Sequence, residues 1–131
     1  MSKAFRRTIE AQDPGVVVVW AKFFPDTANT PTGLVGSGVA SVARTSQGLF
    51  TLTLKDGSYS SLLAAFGTIQ MASPTDVVAQ MGVYTAGTNA TGTPATITVT
   101  ALAVATATDI AANANNSISV MLVFKRTEIP S

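Results

Sequence analysis

The stretch NNSISVMLVFKRT (Asn115–Thr127) places Ile118, Val120, Leu122 and Phe124 on one face of an extended chain, because successive strand side chains point to opposite sides. The other face carries Ser119, but then Met121 and Val123. A strand with one face in water alternates apolar and polar residues. This one does not, so both of its faces need cover. GVVVVWAKFFP (Gly15–Pro25) poses the same problem: Val16, Val18 and Trp20 lie on one side, Val17 and Val19 on the other. Pro25 closes that run, since proline lacks the N–H that a central strand needs.

Elsewhere the alternation is clean. In GLFTLTLKDG (Gly48–Gly57), Phe50, Leu52 and Leu54 oppose Thr51, Thr53 and Lys55, and Asp56-Gly57 supplies a turn. PATITVTALAV (Pro94–Val104) sets Ile97 and Val99 inward, with Thr96, Thr98 and Thr100 outward. LVGSGVASVAR (Leu34–Arg44) reads as a strand bent or bulged at Gly36 and Gly38. LLAAFGTIQMA (Leu62–Ala72) and DVVAQMGVYT (Asp76–Thr85) follow, parted by a turn at Ser73–Thr75. Two segments lean helical: one turn in YSSLLAAF (Tyr59–Phe66), and a short helix in TATDIAANAN (Thr106–Asn115) capped by Thr108 or Asp109. About seven or eight strands at this spacing predict an all-β, antiparallel, jelly-roll-like β-sandwich. The expected domain covers residues 15–131, with residues 1–14 as an N-terminal arm or edge strand.

At 131 residues the chain is one domain's length, and enough to bury roughly two-thirds of its unfolded surface. Charged residues make up only 11%, against about 25% in ordinary globular chains. Thr, Ser, Ala, Gly and Asn fill the vacant positions, giving a neutral surface suited to permanent contacts. A net charge of +1 supplies no field for nucleic acid or membrane. Without cysteine there are neither disulfides nor thiolate metal sites. The opening residues do not read as a signal peptide, and the run Val16–Phe24, interrupted by Lys22, is far too short to cross a bilayer. A soluble protein is expected.

Catalysis has little to work with. The chain holds no histidine, the usual proton-transfer group, and no Ser-x-x-Lys pair. Most carboxylates fall in or beside predicted turns, where Asp serves the backbone, and no predicted strand interior carries a pair suited to glycoside hydrolysis. GLVGSG (Gly33–Gly38) lacks the Lys-Ser/Thr of a phosphate loop. Asp13, Asp26 and Asp109 show no Asp-x-Asp spacing for calcium. Trp20 and Tyr84 suit a core better than a sugar site. No enzyme, no cofactor and no metal are expected.

Since the sequence offers almost no helix to cover the second face, another polypeptide must. The candidate self-association surface is Val18, Trp20, Met121 and Val123, with methionine favoured in interface cores. A closed ring, most naturally a trimer, hides such a face without open-ended growth.

The runs GVASVARTSQGLFTLTLKDGSYSSLLAAFGTIQM (Gly38–Met71), VVAQMGVYTAGT (Val77–Thr88) and ANANNSISVMLVFKRT (Ala112–Thr127) resemble small virion proteins of tailed bacteriophages, the head decoration or cement proteins. The resemblance covers about residues 35 to 127 and lies in strand-and-turn texture rather than a motif. The same texture is similar to trimeric jelly-roll heads, including phage fibre tips and tumour-necrosis-factor-like domains. The family implies a homotrimer seated on the major capsid protein, made in the host bacterial cytoplasm and carried on the virion surface, bracing the shell against its DNA. Lys3, Phe5, Arg6 and Arg7 are then the candidate capsid contacts, although the N-terminal segment departs from the family pattern. The alternative is a receptor- or glycan-binding tip of a tail fibre, using hydroxyls and amides of PDTANTPTG (Pro25–Gly33) and TAGTNATGTP (Thr85–Pro94).

Overall fold

A computed structural model describes residues 16–55, 59–73, 75–87 and 94–126. The described strands are β1 (Val16–Phe24), β2 (Thr32–Ser37), β3 (Val39–Ser46), β4 (Leu49–Leu54), β5 (Tyr59–Gln70), β6 (Val77–Thr85), β7 (Thr96–Ala103), β8 (Thr106–Ala107) and β9 (Ser117–Arg126). Sheet A runs β2-β1-β9-β5 and sheet B β3-β4-β7-β6, with the two-residue β8 added to β7. Every pairing is antiparallel. The expected antiparallel sandwich is therefore the fold, with one very short strand beyond the expected count.

Strands β5 and β6 lie side by side where the two sheets meet. The chain crosses between the sheets at β2–β3, β4–β5, β5–β6 and β8–β9. Four successive pairs (β1–β2, β3–β4, β6–β7 and β7–β8) stay within one sheet. Neither helical expectation holds. Residues 59–66 are strand from the start, and residues 108–113 form an irregular connection.

That connection is irregular because its polar groups are engaged elsewhere. Asp109 accepts from Arg44 Nε at 3.0 Å, from Arg44 Nη2 at 2.9 Å and from the Gly48 N–H at 2.9 Å. The Asn116 side chain donates to the Ala111 carbonyl at 3.0 Å and accepts from the Ala72 N–H at 2.7 Å. Ile110, 2% exposed, plugs the end of the core between these ties. Arg44 extends the inner-face series of the edge strand β3, after Val39 and Val42, and an inward charge on an edge discourages further strand addition.

The core zips the two sheets together. Val19, Ala21 and Phe23 of β1 and Ile118, Val120, Leu122 and Phe124 of β9 face Phe50, Leu52 and Leu54 of β4 and Ile97, Val99 and Ala101 of β7. Two aromatic contacts span the sheets near opposite ends: Phe23–Phe50, with centroids 5.5 Å apart, and Tyr84–Phe124, at 5.0 Å. Between them the core includes Leu52, Ile97 and Leu122, and the row of Ala21, Val120 and Gly67. At Gly67 a Cβ would come within 2.9 Å of Met81 Sδ, so Met81 fills the space that Gly67 vacates.

The chain changes sheets at Gly38, whose φ of +93° lies in the region that side chains avoid. A Cβ there would also sit 2.9 Å from a Val19 methyl. Gly38→Ala is expected to lower the unfolding free energy by about 2–3 kcal/mol through strain and overpacking, read by chemical denaturation. An unchanged denaturation midpoint would show that this corner tolerates a side chain.

Hydrogen bonding from Arg44, together with the Gly48 N–H and the Arg44 charge, holds the Asp109 carboxyl below the usual carboxylate range against an opposing desolvation. A depressed folded-state pKa gives stability that is present above the unfolded value and lost as pH falls through the folded one. Wild type should therefore lose stability progressively below about pH 4. Asp109→Asn should lower the thermal midpoint at pH 7 and flatten that acid limb. Parallel acid limbs in the two proteins would remove the clamp from the account.

Candidate functional site

The outer faces of the two sheets differ in kind. On sheet B the cross-strand rows are Ser41–Thr53–Thr96–Thr85 and Ala43–Thr51–Thr98. The hydroxyls of Thr45 and Thr51 lie 2.6 Å apart. These rows meet water with neutral hydroxyls on β-branched stems, which also suit a pleated sheet, while Val78 and Val83 stand exposed on the β6 edge.

On sheet A the equivalent rows are apolar. Trp20 of β1 pairs with Met121 of β9, and Met121 with Phe66 of β5, so three large side chains stand in line across three strands. The next row is Val18–Val123–Ala64. A bulge between Leu62 and Ala64 adds Leu63 beside the rows. Trp20 is 38% exposed, Met121 40%, Phe66 54% and Leu63 55%. Polar positions bound this stripe: the row Lys22–Ser119–Thr68 on one side, the row Lys125–Ser61 on the other, and Ser37 of β2 beyond Trp20.

The four residues read from sequence as a self-association surface are thus direct neighbours, as the pairs Val18–Val123 and Trp20–Met121. Sequence reading missed the third strand. Phe66, Leu63 and Ala64 come from the unbroken apolar run Leu62–Phe66, which has apolar residues at both strand parities, the signature that marked β1 and β9. The candidate capsid contacts Lys3, Phe5, Arg6 and Arg7 lie outside the described residues. Tyr84 packs inward on Phe124.

The strands that flank the two hydroxyl- and amide-rich loops end at opposite poles of the sandwich. Pairing of Phe24 with Thr32, and of β9 with β5 through Ser117–Gln70, puts the Pro25–Pro31 loop at one pole. Thr85 and Thr96 pair at the other pole, where Val16 starts β1 and Lys125 nears the end of β9; residues 88–93 lie outside the described residues.

Chemistry has no obvious centre here. Among the described residues no three His, Cys, Asp or Glu side chains gather in a metal-holding cluster. Asp109 is committed to Arg44. No helix of the described residues is long and apolar enough to cross a membrane. No family model matches the chain, and neither a curated protein nor a solved structure shows significant similarity to it.

The exposed stripe contributes little to the fold of a single chain. Phe66→Ser and Leu63→Ser should each change unfolding free energy by no more than about 1 kcal/mol. Phe50→Ala, in the buried core, should cost about 3–5 kcal/mol. Denaturant titration compares them directly, and equal losses at Phe66 and Phe50 would mean that the stripe belongs to the core.

Proposed function

We propose that this chain is a non-enzymatic structural protein of a tailed-bacteriophage virion, a head decoration subunit that forms a homotrimer and braces the major capsid protein. What supports this reading is one arrangement: the row Trp20–Met121–Phe66 above Val18–Val123–Ala64, on an otherwise uncharged stretch of open sheet. The four most exposed of these side chains leave on the order of 300 Å² uncovered, taking aromatic side chains at about 150–250 Å² each. Burying that area supplies roughly 7 kcal/mol at ~25 cal/mol per Å². Association costs about 4–15 kcal/mol in lost freedom. The stripe is therefore the core of a contact that draws on the neutral surface around it, since a standard interface takes about 800 Å² from each partner.

A ring of three copies suits these magnitudes. Each copy then makes two contacts, and each ring meets the shell three times, so individually modest interfaces add through effective concentration. The chain leaves β1 and β9 at one pole. Val16 stands at that pole, and Lys3, Arg6 and Arg7, outside the described residues, are the side chains proposed to meet acidic groups of the shell. Each exposed ion pair adds only about 0–1 kcal/mol, so buried area carries the affinity.

Trp20 is the sole tryptophan and lies in the stripe, so it reports on its own burial. Sedimentation of the purified chain should give a trimer whose tryptophan emission is blue-shifted. The Trp20→Ser/Phe66→Ser double variant should sediment as a folded monomer. A wild-type chain that stays monomeric at every concentration overturns the reading. Copy number then separates locations: hundreds per particle fit head decoration, and a few dozen or fewer fit a fibre tip.

A further inference from the structure

Beside the stripe, where β1 gives way to its loop, lies a groove of about 320 Å³ lined by Phe24, Pro25, Asp26, Thr32, Ala112 and Asn113 among others. The site joins the β1–β2 loop to the connection that enters β9, and both are held in place. Asp109 and Asn116 tie the connection, while the Phe24 ring packs where a Cβ of Gly33 would sit, and Gly33 itself adopts a φ of +67°. The volume lies within the range of small-ligand sites, about 300–1,000 Å³.

Its polar groups have spare capacity. The Asp26 carboxylate has no ion pair or hydrogen bond among the described residues. Asn113 uses its side-chain oxygen to accept from the Asn115 N–H at 2.8 Å and its carbonyl to accept from the Asn116 N–H at 3.0 Å, which leaves its amide NH₂ to donate outward. Thr32 offers a hydroxyl. Around these stand an aromatic ring, a proline and alanines.

That mixture selects by charge. An anion is repelled by Asp26. A cation seeking the aromatic ring meets Lys22, whose ammonium already lies 5.5 Å from the Phe24 centroid. One carboxylate is too few for a calcium ion, which takes 6–8 oxygen ligands. A purely apolar ligand strips water from Asp26 and returns nothing. A neutral sugar satisfies all parties: its hydroxyls donate to Asp26 and accept from Asn113 and Thr32, and its C–H faces rest on Phe24 and Pro25.

We infer that this groove is a binding site for a neutral saccharide unit. It lies at the pole opposite the start of β1, so a chain anchored by its terminal side presents the groove outward. The inference stands apart from the trimer reading, which sedimentation tests without sugar.

The test uses the full chain on an array carrying neutral, sialylated and sulfated glycans, followed by amide NMR titration with the strongest neutral hit. Saturable shifts confined to residues around Asp26, Thr32 and Asn113 are expected. Asp26→Asn and Asn113→Ala should each weaken binding by about tenfold or more, the loss of one good hydrogen bond in a site built to read hydroxyls. Their thermal midpoints should match wild type, which separates lost binding from lost fold. Binding to no neutral glycan, preference for the charged ones, or unchanged affinity in both variants overturns the proposal.

Discussion

Strand β9 is hydrogen-bonded to β1 on one side and β5 on the other along most of its length, and its inward residues lock sheet A onto sheet B. Much else follows from that central position. A strand flanked on both edges has only its two faces left for contact. Its inward face, Ile118 to Phe124, is fully spent on the core. Whatever Met121 and Val123 do must therefore be done outward, together with the strands that β9 holds in register. The same pairing that builds the core aligns Trp20, Met121 and Phe66. A one-residue slip of β9 against either neighbour would bury Met121 and expose Leu122.

Much of this was legible in the sequence because strand periodicity is a local signal. Phe50, Leu52 and Leu54 announce their face within seven residues, and the structure buries all three. Double-sided greasiness in β1 and β9 was equally visible, and it identified half of the stripe. What was not visible was which strands share a sheet. Phe66 and Leu63 join the stripe only because β5 pairs with β9 rather than with β4, a long-range choice that no local pattern records. The missing helix at residues 106–115 fails for a related reason. Asp109 reads as a helix cap until Arg44 and Gly48 arrive from distant elements to engage it, and Asn116, just beyond the segment, is tied to Ala72. Tertiary partners outbid a weak local preference, as is usual for short segments.

Glycine and bulge placement explains how a sandwich this short closes so tightly. Gly38 turns the chain from one sheet to the other, and Gly67 lets Met81 cross the gap. Bulges in β5 and β6 then adjust twist where the sheet edges meet. The two aromatic contacts lie toward opposite ends of the core, while Gly67 lies within reach of Ala79 and Met81 of the opposite sheet.

These constraints divide the surface into regions with different capacities. Sheet B's outer face carries mostly short neutral hydroxyls, with exposed apolar area at Val78 and Val83 on its β6 edge. Sheet A's outer face has area to give, but few groups that confer chemical selectivity. The groove beyond Phe24 is the reverse: small, with uncommitted polar groups of both donor and acceptor type set among apolar walls. Affinity by area and selectivity by hydrogen bonding thus reside in adjacent places on one sheet, yet point differently, the first along the sheet face and the second toward a pole. A chain arranged this way can be held by one surface while the other stays open. That separation follows from β1 alone, whose outward residues run from Val18 and Trp20 in the stripe, past Lys22, to Phe24 in the groove.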